Sequence, residues 1–328
     1  MAVLIIGGAG YIGSHTVKYF QEQNEEVIVV DNLNTGFRQS VEVDYFYNID
    51  IRNKEELDKV FKKHDVNGVI HFAANSLVGE SMTKPFTYYD NNVYGMMCLL
   101  DVMRNNEVKK IVFSSTAATY GEPVNIPIKE DDPTVPTNPY GQTKLAMEDM
   151  MKWFDRAYDI KYVSLRYFNA SGADKSSKIG EAHNPETHLI PLILQVPLGK
   201  REKIYVFGDD YETKDGSAIR DYIHVIDLAD AHYLAYKYLL EGNDSNIFNL
   251  GNGLGYSVLE VIEAARKATG LEIPMEIVGR RAGDPAILIA SSEKARKVLG
   301  WDPQHYNLEE IIMDAWNWHK DNPEGYKN

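Results

Sequence analysis

Residues Val3-Leu-Ile-Ile-Gly-Gly-Ala-Gly-Tyr-Ile-Gly13 decide the fold. Four apolar residues reach a cluster in which Gly7, Gly10 and Gly13 stand three apart, and Ile12, Val17 and Phe20 then share one helical face. The pattern predicts strand, tight turn, helix. Glycines at these points let the backbone turn sharply and approach a diphosphate with no Cβ in the way, so that the anion meets the positive helix N-terminus. A second apolar run, Val27 to Val30, ends in Asp31, 18 residues beyond Gly13. A dinucleotide fold places an acid about 20 residues on, where it accepts hydrogen bonds from the adenosine ribose. A carboxylate there repels a 2′-phosphate, and the nearest basic residue, Arg38, lies seven positions further on, so NAD is favoured over NADP.

Outward from this motif, short apolar runs near 3–6, 27–30, 69–72, 110–114 and 161–166 alternate with helical patterns near 11–23, 54–64, 89–105 and 140–157. That alternation predicts an α/β, Rossmann-type doubly wound parallel sheet over residues 1–170. From about Ser171 glycine, proline and polar residues take over, as at Asn184-Pro185, Pro191 and Pro197. Residues 171–328 are therefore expected to form mainly a smaller C-terminal substrate-binding lobe. A helix at 227–241 and a strand at 247–250 are expected to return to the first sheet, with further helices near 257–269, 292–299 and 307–319.

Composition sets the class. The chain has 328 residues and a formal net charge of -14, which argues against nucleic-acid and anionic-membrane partners. Cys98 is its single cysteine, so neither an intramolecular disulfide nor a thiolate zinc cluster is available. The apolar N-terminal run is too short for a signal sequence or a membrane span, and a cytoplasmic protein is expected. Asp209, Asp210, Glu212 and Asp215 do not follow a calcium-loop pattern, and the nine histidines show no paired zinc-type spacing, so no metal is assigned. His71 is read as a packing residue.

The chemistry is expected in the middle of the chain. A strand runs into Ser114-Ser115-Thr116, and 24 residues after Thr116 comes Tyr140-Gly-Gln-Thr-Lys144 at a helix start. Tyrosine and lysine then share a helix face. The lysine cation, with a positively charged nicotinamide, would pull the phenol below its usual value of about 10 and make Tyr140 a general base. Thr116, or else Ser115, would hold the substrate oxygen. Tyr233 and Lys237 repeat the spacing inside a helix read as surface-type, and serve as an internal decoy.

With Gly7 to Gly13, His71-Phe-Ala-Ala74, Tyr89-Asp-Asn-Asn92, Ser114 to Gly121, Asn138 to Lys144, Leu165 to Asn169, Phe207 to Gly216, Arg220 to Val225 and Arg280 to Asp284, the chain resembles the extended short-chain dehydrogenase/reductase family over essentially its whole length. The segment from Phe207 to Val225 resembles that family's UDP-hexose 4-epimerases. The resemblance implies reversible epimerisation at C4 of a UDP-hexose through a 4-keto intermediate, with tightly held NAD. The helices at 89–105 and 140–157 carry Tyr94, Met97, Leu99, Met150, Trp153 and Phe154, more large apolar surface than one sheet face needs, so a homodimer through them is expected, and the resemblance points the same way. NAD would be held by Gly7, Gly10, Tyr11, Ile12 and Gly13, by Asp31, Asn32, Asp50 and Ile51, by Phe72, Ala73, Ala74 and Asn91, and by Tyr140, Lys144 and Tyr167. The UDP-sugar would meet Thr116, Tyr140, Asn169, Leu189, Phe207, Arg220, Arg281 and Asp284, with Leu288 at the sugar wall.

Two departures from the family pattern stand out. Thr187-His188 replaces paired asparagines ahead of Leu189, and Thr116 replaces a serine. The related 4,6-dehydratases carry an acid pair where this chain has Ala117 and Ala118, which transfer no protons. An NAD dehydrogenase that releases its oxidised product, and an NAD-sensing binding protein, are the competing classes.

Overall fold

The computed structural model describes residues 1–281 and 285–326. β1 (Ala2–Ile6), α1 (Tyr11–Glu22), β2 (Glu26–Asp31), β3 (Tyr45–Asn48), α2 (Lys54–Lys63) and β4 (Val66–His71) open the chain. Two short helices, α3 (Val78–Thr83) and α4 (Pro85–Tyr88), lead to α5 (Gly95–Asn105), β5 (Lys110–Ser114), α6 (Pro139–Tyr158) and β6 (Lys161–Tyr167). The chain then leaves the sheet through β7 (Asn169–Ser171), α7 (Leu189–Leu194), β8 (Ile204–Phe207), β9 (Ile219–Arg220) and β10 (Tyr222–His224). It returns with α8 (Val225–Leu240) and β11 (Asn246–Leu250), and ends with β12 (Tyr256–Ser257), α9 (Val258–Thr269), β13 (Met275–Val278), β14 (Ile287–Leu288), α10 (Glu293–Leu299) and α11 (Leu308–Asp321).

The main sheet has the order β11-β6-β5-β4-β1-β2-β3, with every pairing parallel. Its central strands read as continuous apolar runs because both faces are covered. Val3, Ile5, Val29 and Ile70 pack against α1 and α8 on one face, while Leu4, Ile6, Ile28 and Val69 pack against α2, α5 and α6 on the other. Each fully buried aliphatic side chain contributes about 1.5–3 kcal/mol. The strand order reverses between β1 and β4, and a ligand crevice opens beyond the carboxyl ends of the strands at such a point. The smaller lobe has its own core, in which Ile193 and Leu194 of α7 meet Val261 of α9 and Ile311 of α11.

Besides short elements that were not expected, three departures from the sequence reading have a clear physical reason. β3 went unread because Tyr45-Phe-Tyr-Asn48 is a half-exposed edge strand with no β-branched residue. The helix expected over 89–105 is interrupted: Tyr89–Tyr94 forms a wider, π-type turn before α5. Finally, α8 is not a surface-type helix, since Leu228, Ala231, His232, Ala235 and Tyr236 are buried between α1 and the sheet. The return of β11 is as expected, through its parallel pairing with β6. Among the described residues no helix is long and apolar enough to cross a membrane.

Candidate active site

A cleft of about 1010 Å³ runs across the carboxyl ends of the strands, from the glycine loop to the smaller lobe. At one end Gly7 adopts φ +78°, and a Cβ there would stand 2.6 Å from the Ala73 nitrogen, while one on Gly13 would stand 2.2 Å from the Gly7 carbonyl oxygen. Only glycine fits, so the backbone itself forms the cradle. Tyr11 and Ile12 at the start of α1 line the same end.

Asp31 closes β2 with its carboxylate already placed. Oδ2 accepts the Ala9 N–H at 2.9 Å and Oδ1 the Leu33 N–H at 2.8 Å, which leaves lone pairs for a ribose. Burial is the largest influence on this carboxyl and raises its pKa, against the two N–H groups. Arg38 cannot serve a 2′-phosphate from its present position, because it donates to the Val41 carbonyl at 2.7 Å and lies over the Phe46 ring. Asn32 and Ile51 line the cleft, whereas Asp50 does not. Asp50 instead accepts a hydrogen bond from Asn32 at 3.1 Å and is held ionised by Arg52, which donates to it at 2.6 Å.

The reacting end is organised by α6. Asn138 caps it by accepting the Gly141 N–H at 2.9 Å, and Pro139 occupies its first turn. A Cβ on Gly141 would lie 2.4 Å from the Ala118 carbonyl oxygen, so this glycine lets the helix press against the turn that follows Thr116. Thr116, Tyr140 and Lys144 thereby face one cleft, joined by Asn91, Tyr167 and the segment Phe72 to Ala74. Lys144 Nζ donates to the Ser114 carbonyl at 2.6 Å, and the Ser114 hydroxyl is bonded to the Tyr167 phenol.

The expected depressed phenol is not what the chain alone provides. Burial raises the Tyr140 pKa, the Thr116 hydroxyl only partly offsets this, and burial lowers Lys144 to about 7. The physical reason is that both groups are stripped of water, while the lysine cation is disfavoured by the same burial. Tyr233 and Lys237 lie outside the cleft; Tyr233 packs edge-on against Phe20 of α1, with ring centroids 5.3 Å apart. His71 packs 5.9 Å from the Phe113 ring, and burial lowers it to about 3.

On the smaller-lobe side, Asn169, Arg220, Arg281 and Leu288 line the cleft. Leu288 sits opposite Arg220 in the β9–β14 pairing. The Asp221 carboxylate accepts the N–H groups of Asn252, Gly253 and Ala290 at 2.8, 3.1 and 3.3 Å, and so anchors the strand that carries Arg220. Phe207 and Leu189 do not line the cleft. Phe207 supports Arg281, whose guanidinium carbon lies 3.9 Å from the ring centre, and Leu189 packs into the small-lobe core. Asp284 lies outside the described residues.

Several contributors carry roles that the sequence did not assign. Asn92, inside the π-type turn, donates to Thr143 Oγ1 at 3.0 Å and to the Asn75 carbonyl at 3.1 Å, joining α6 to the loop after β4. Glu148 of α6 is fully buried, where it accepts from Ser115 at 2.5 Å and pairs with Arg166 at 2.5 Å. His183 and His188 meet Glu181 and Glu186 in the loop before α7, and their five-residue separation matches no helical ligand pattern. Burial opposes a charge on His188, but the Glu181 and Glu186 carboxylates raise its pKa to about 10. The acidic residues of the 209–215 loop serve locally instead. Asp210 pairs with Arg280, and Asp215 accepts from the Ser217 N–H at 2.9 Å.

A backbone cradle, a ribose carboxylate and a buried tyrosine–lysine pair in one cleft define a dinucleotide-using oxidation–reduction site. The chain belongs to the NAD dependent epimerase/dehydratase family, whose model matches residues 3–251. It is 61% identical to the UDP-glucose 4-epimerase of Halalkalibacterium halodurans, covering 99% of this chain and 98% of that protein. The crystal structure of the Brucella ovis UDP-glucose 4-epimerase in complex with NAD superposes with a TM-score of 0.94 at 45% identity, over 96% of this chain and 97% of that one. The Bifidobacterium longum enzyme, in complex with NAD+ and UDP, gives 0.93 at 40% identity, over 99% and 100% of the two chains.

Proposed function

We propose that this chain interconverts UDP-galactose and UDP-glucose by reversible oxidation at C4, holding NAD throughout. The observation that carries the reading is the placement of Tyr140, Lys144 and Thr116 in the same cleft as the glycine cradle and Asp31. NAD, when bound, takes up and returns the C4 hydride. Gly7, Gly10 and Gly13 suit its diphosphate, Asp31 and Asn32 its adenosine ribose, and Asn91, Tyr140, Lys144 and Tyr167 its far end. Tyr140 removes the C4 hydroxyl proton and gives it back, while Thr116 holds the oxygen. General acid–base transfer of this kind contributes about 10²–10⁴-fold. Arg220 and Arg281 present guanidinium forks to the diphosphate of the substrate, against the acidic balance of the whole chain. Binding through the nucleotide leaves the hexose free to turn over, so that hydride would return to the opposite face of C4 while the C4 oxygen stays within reach of Tyr140. Ala117 and Ala118 supply no second acid or base for elimination.

The test is to incubate the purified protein with UDP-galactose and no added NAD. Appearance of UDP-glucose with no NADH released supports the reading, and stoichiometric NADH with accumulation of a 4-keto sugar would replace it with a dehydrogenase.

A homodimer is the second part of the proposal. Leu99 is fully buried and unavailable to an interface, while Met150 and Phe154 are partly buried against the chain's own core. Tyr94, Met97 and Trp153 remain 43%, 47% and 65% exposed on the adjacent α5 and α6 region. A second copy covering that face accounts for them. A cytoplasmic setting accords with the single cysteine, Cys98, being free and buried.

A further inference from the structure

The loop before α7 gathers four side chains that the reaction above does not use. Nδ1 of His183 and Nδ1 of His188 face the same oxygen, Glu181 Oε1, at 3.0 and 2.7 Å. Glu186 closes the group, with Oε2 3.8 Å from His183 Nδ1 and Oε1 3.3 Å from His188 Nδ1. One donor atom from each residue lies within 4.8 Å of every other. We propose that Glu181, His183, Glu186 and His188 form a binding site for one divalent transition-metal ion of the zinc class.

Geometry, charge and support each favour an ion over simple pairing. Four ligands at zinc bond lengths of about 2.0–2.1 Å stand roughly 3.3 Å apart on a tetrahedron, and the four imidazole–carboxylate spacings, from 2.7 to 3.8 Å, bracket that value. Binding a dication displaces any proton from the imidazoles, and the charge of the two carboxylates, only 5% and 7% exposed, then matches that of the ion. Imidazole and carboxylate without thiolate suit zinc and its neighbours in the first transition row. The ligands are also held from behind. Glu186 Oε1 accepts the N–H groups of Thr187 and His188 at 2.7 and 2.8 Å, and the Glu181 carbonyl accepts Trp318 Nε1 at 3.0 Å. Such outer contacts fix ligand orientation.

The site has a structural task at the cleft. Glu181, His183 and His188 line its wall, and Leu189 follows directly as the first residue of α7. An ion there would hold the loop between Gly180 and α7 in one conformation, making these four positioning residues rather than catalytic ones. The metal site stands whatever reaction the cleft performs.

The experiment uses the full chain prepared without a polyhistidine tag. Zn²⁺ affinity and stoichiometry are read by competition with a chromogenic chelator, and Co²⁺-loaded protein is read by visible absorption. We expect one ion per chain and an intense tetrahedral Co²⁺ spectrum. Glu181→Gln and His183→Ala should each weaken Zn²⁺ by more than the about 10–100-fold typical of losing an outer-sphere contact, with unchanged elution in gel filtration. If a variant fails to fold, the wild-type Co²⁺ spectrum and stoichiometry still decide. Binding well below one equivalent, a weak octahedral Co²⁺ spectrum, or folded variants of unaltered affinity would each overturn the proposal.

Discussion

Replacing Gly141 by alanine sets two physical effects against each other in one residue. Propensity alone favours alanine in a helix by as much as about 1 kcal/mol. Contact geometry opposes it: a Cβ would stand 2.4 Å from the Ala118 oxygen and 2.9 Å from its carbon, where ordinary contact starts at 3.4 Å. Both neighbours are backbone, so α6 and the turn beyond Thr116 must separate by about 1 Å. That movement falls between Tyr140 and Thr116, while Asp31, Arg220 and Arg281 stand on other elements. A misplacement of about 1 Å costs on the order of 10²-fold in rate. The expected outcome for Gly141→Ala is a kcat about 100-fold lower, with KM for UDP-galactose, NAD content and melting temperature little changed. Steady-state kinetics, cofactor release on acid denaturation and a thermal melt measure all four. A kcat within about threefold of wild type, a barrier change under about 1 kcal/mol, would refute the reasoning. So would a fall in kcat matched by a collapse of the melting temperature.

Tyr140→Phe should lower kcat by about 10²–10⁴-fold, whereas Tyr233→Phe, at the α1–α8 contact, should leave it close to wild type; comparable turnover in the first variant would remove Tyr140 as the base. Burial lowers Lys144 to about 7, well below its unfolded value. Between about pH 7 and the ordinary lysine range only the unfolded state binds that proton, so stability rises with pH by about 1.4 kcal/mol per unit at most. Urea melts should show wild type gaining on Lys144→Met across that window, and a difference flat in pH would contradict it. Leu288→Gly should improve relative kcat/KM for UDP-N-acetylglucosamine over UDP-glucose by about 1–3 kcal/mol; an unchanged ratio places the sugar wall elsewhere. Trp153→Glu should convert dimer to monomer in light scattering at micromolar protein, and a dimer that persists, or a wild type already monomeric, rejects that face.

The sheet was legible where burial is two-sided. Val3 to Ile6 and Val27 to Val30 are apolar without a break because helices cover both faces. Tyr45 to Asn48 gave no such signal, since this edge strand is only four residues long and half-exposed, with no continuous aliphatic run. No proline or internal glycine marks the break at Tyr89–Tyr94; the bonds of Asn92 to Thr143 and Asn75, distant in sequence, accompany it. The glycine loop, Asp31 and the Tyr140–Lys144 pair could be read because each is a local pattern with a chemical reason. Phe207 under Arg281, Asp50 behind Asn32 and Glu148 paired with Arg166 could not, because each is a support made by folding. Glu148 in particular reads as a solvated residue on a helix until Ser115 and Arg166 close over it. The effect of burial on Tyr140 and Lys144 was misjudged for a related reason: spacing shows which charges are neighbours, but not how much water is removed from them.

The route of the chain between its two lobes has a consequence for synthesis. β6 gains its outer neighbour, β11, only some eighty residues later, and Trp301 then closes over α8 by donating to the Asp227 carbonyl at 2.9 Å. A nascent chain that has just released β6 therefore presents an unpaired apolar strand edge to the cellular environment, of the kind that recruits other chains. The ribosome must deliver most of the smaller lobe before the cofactor half can be completed.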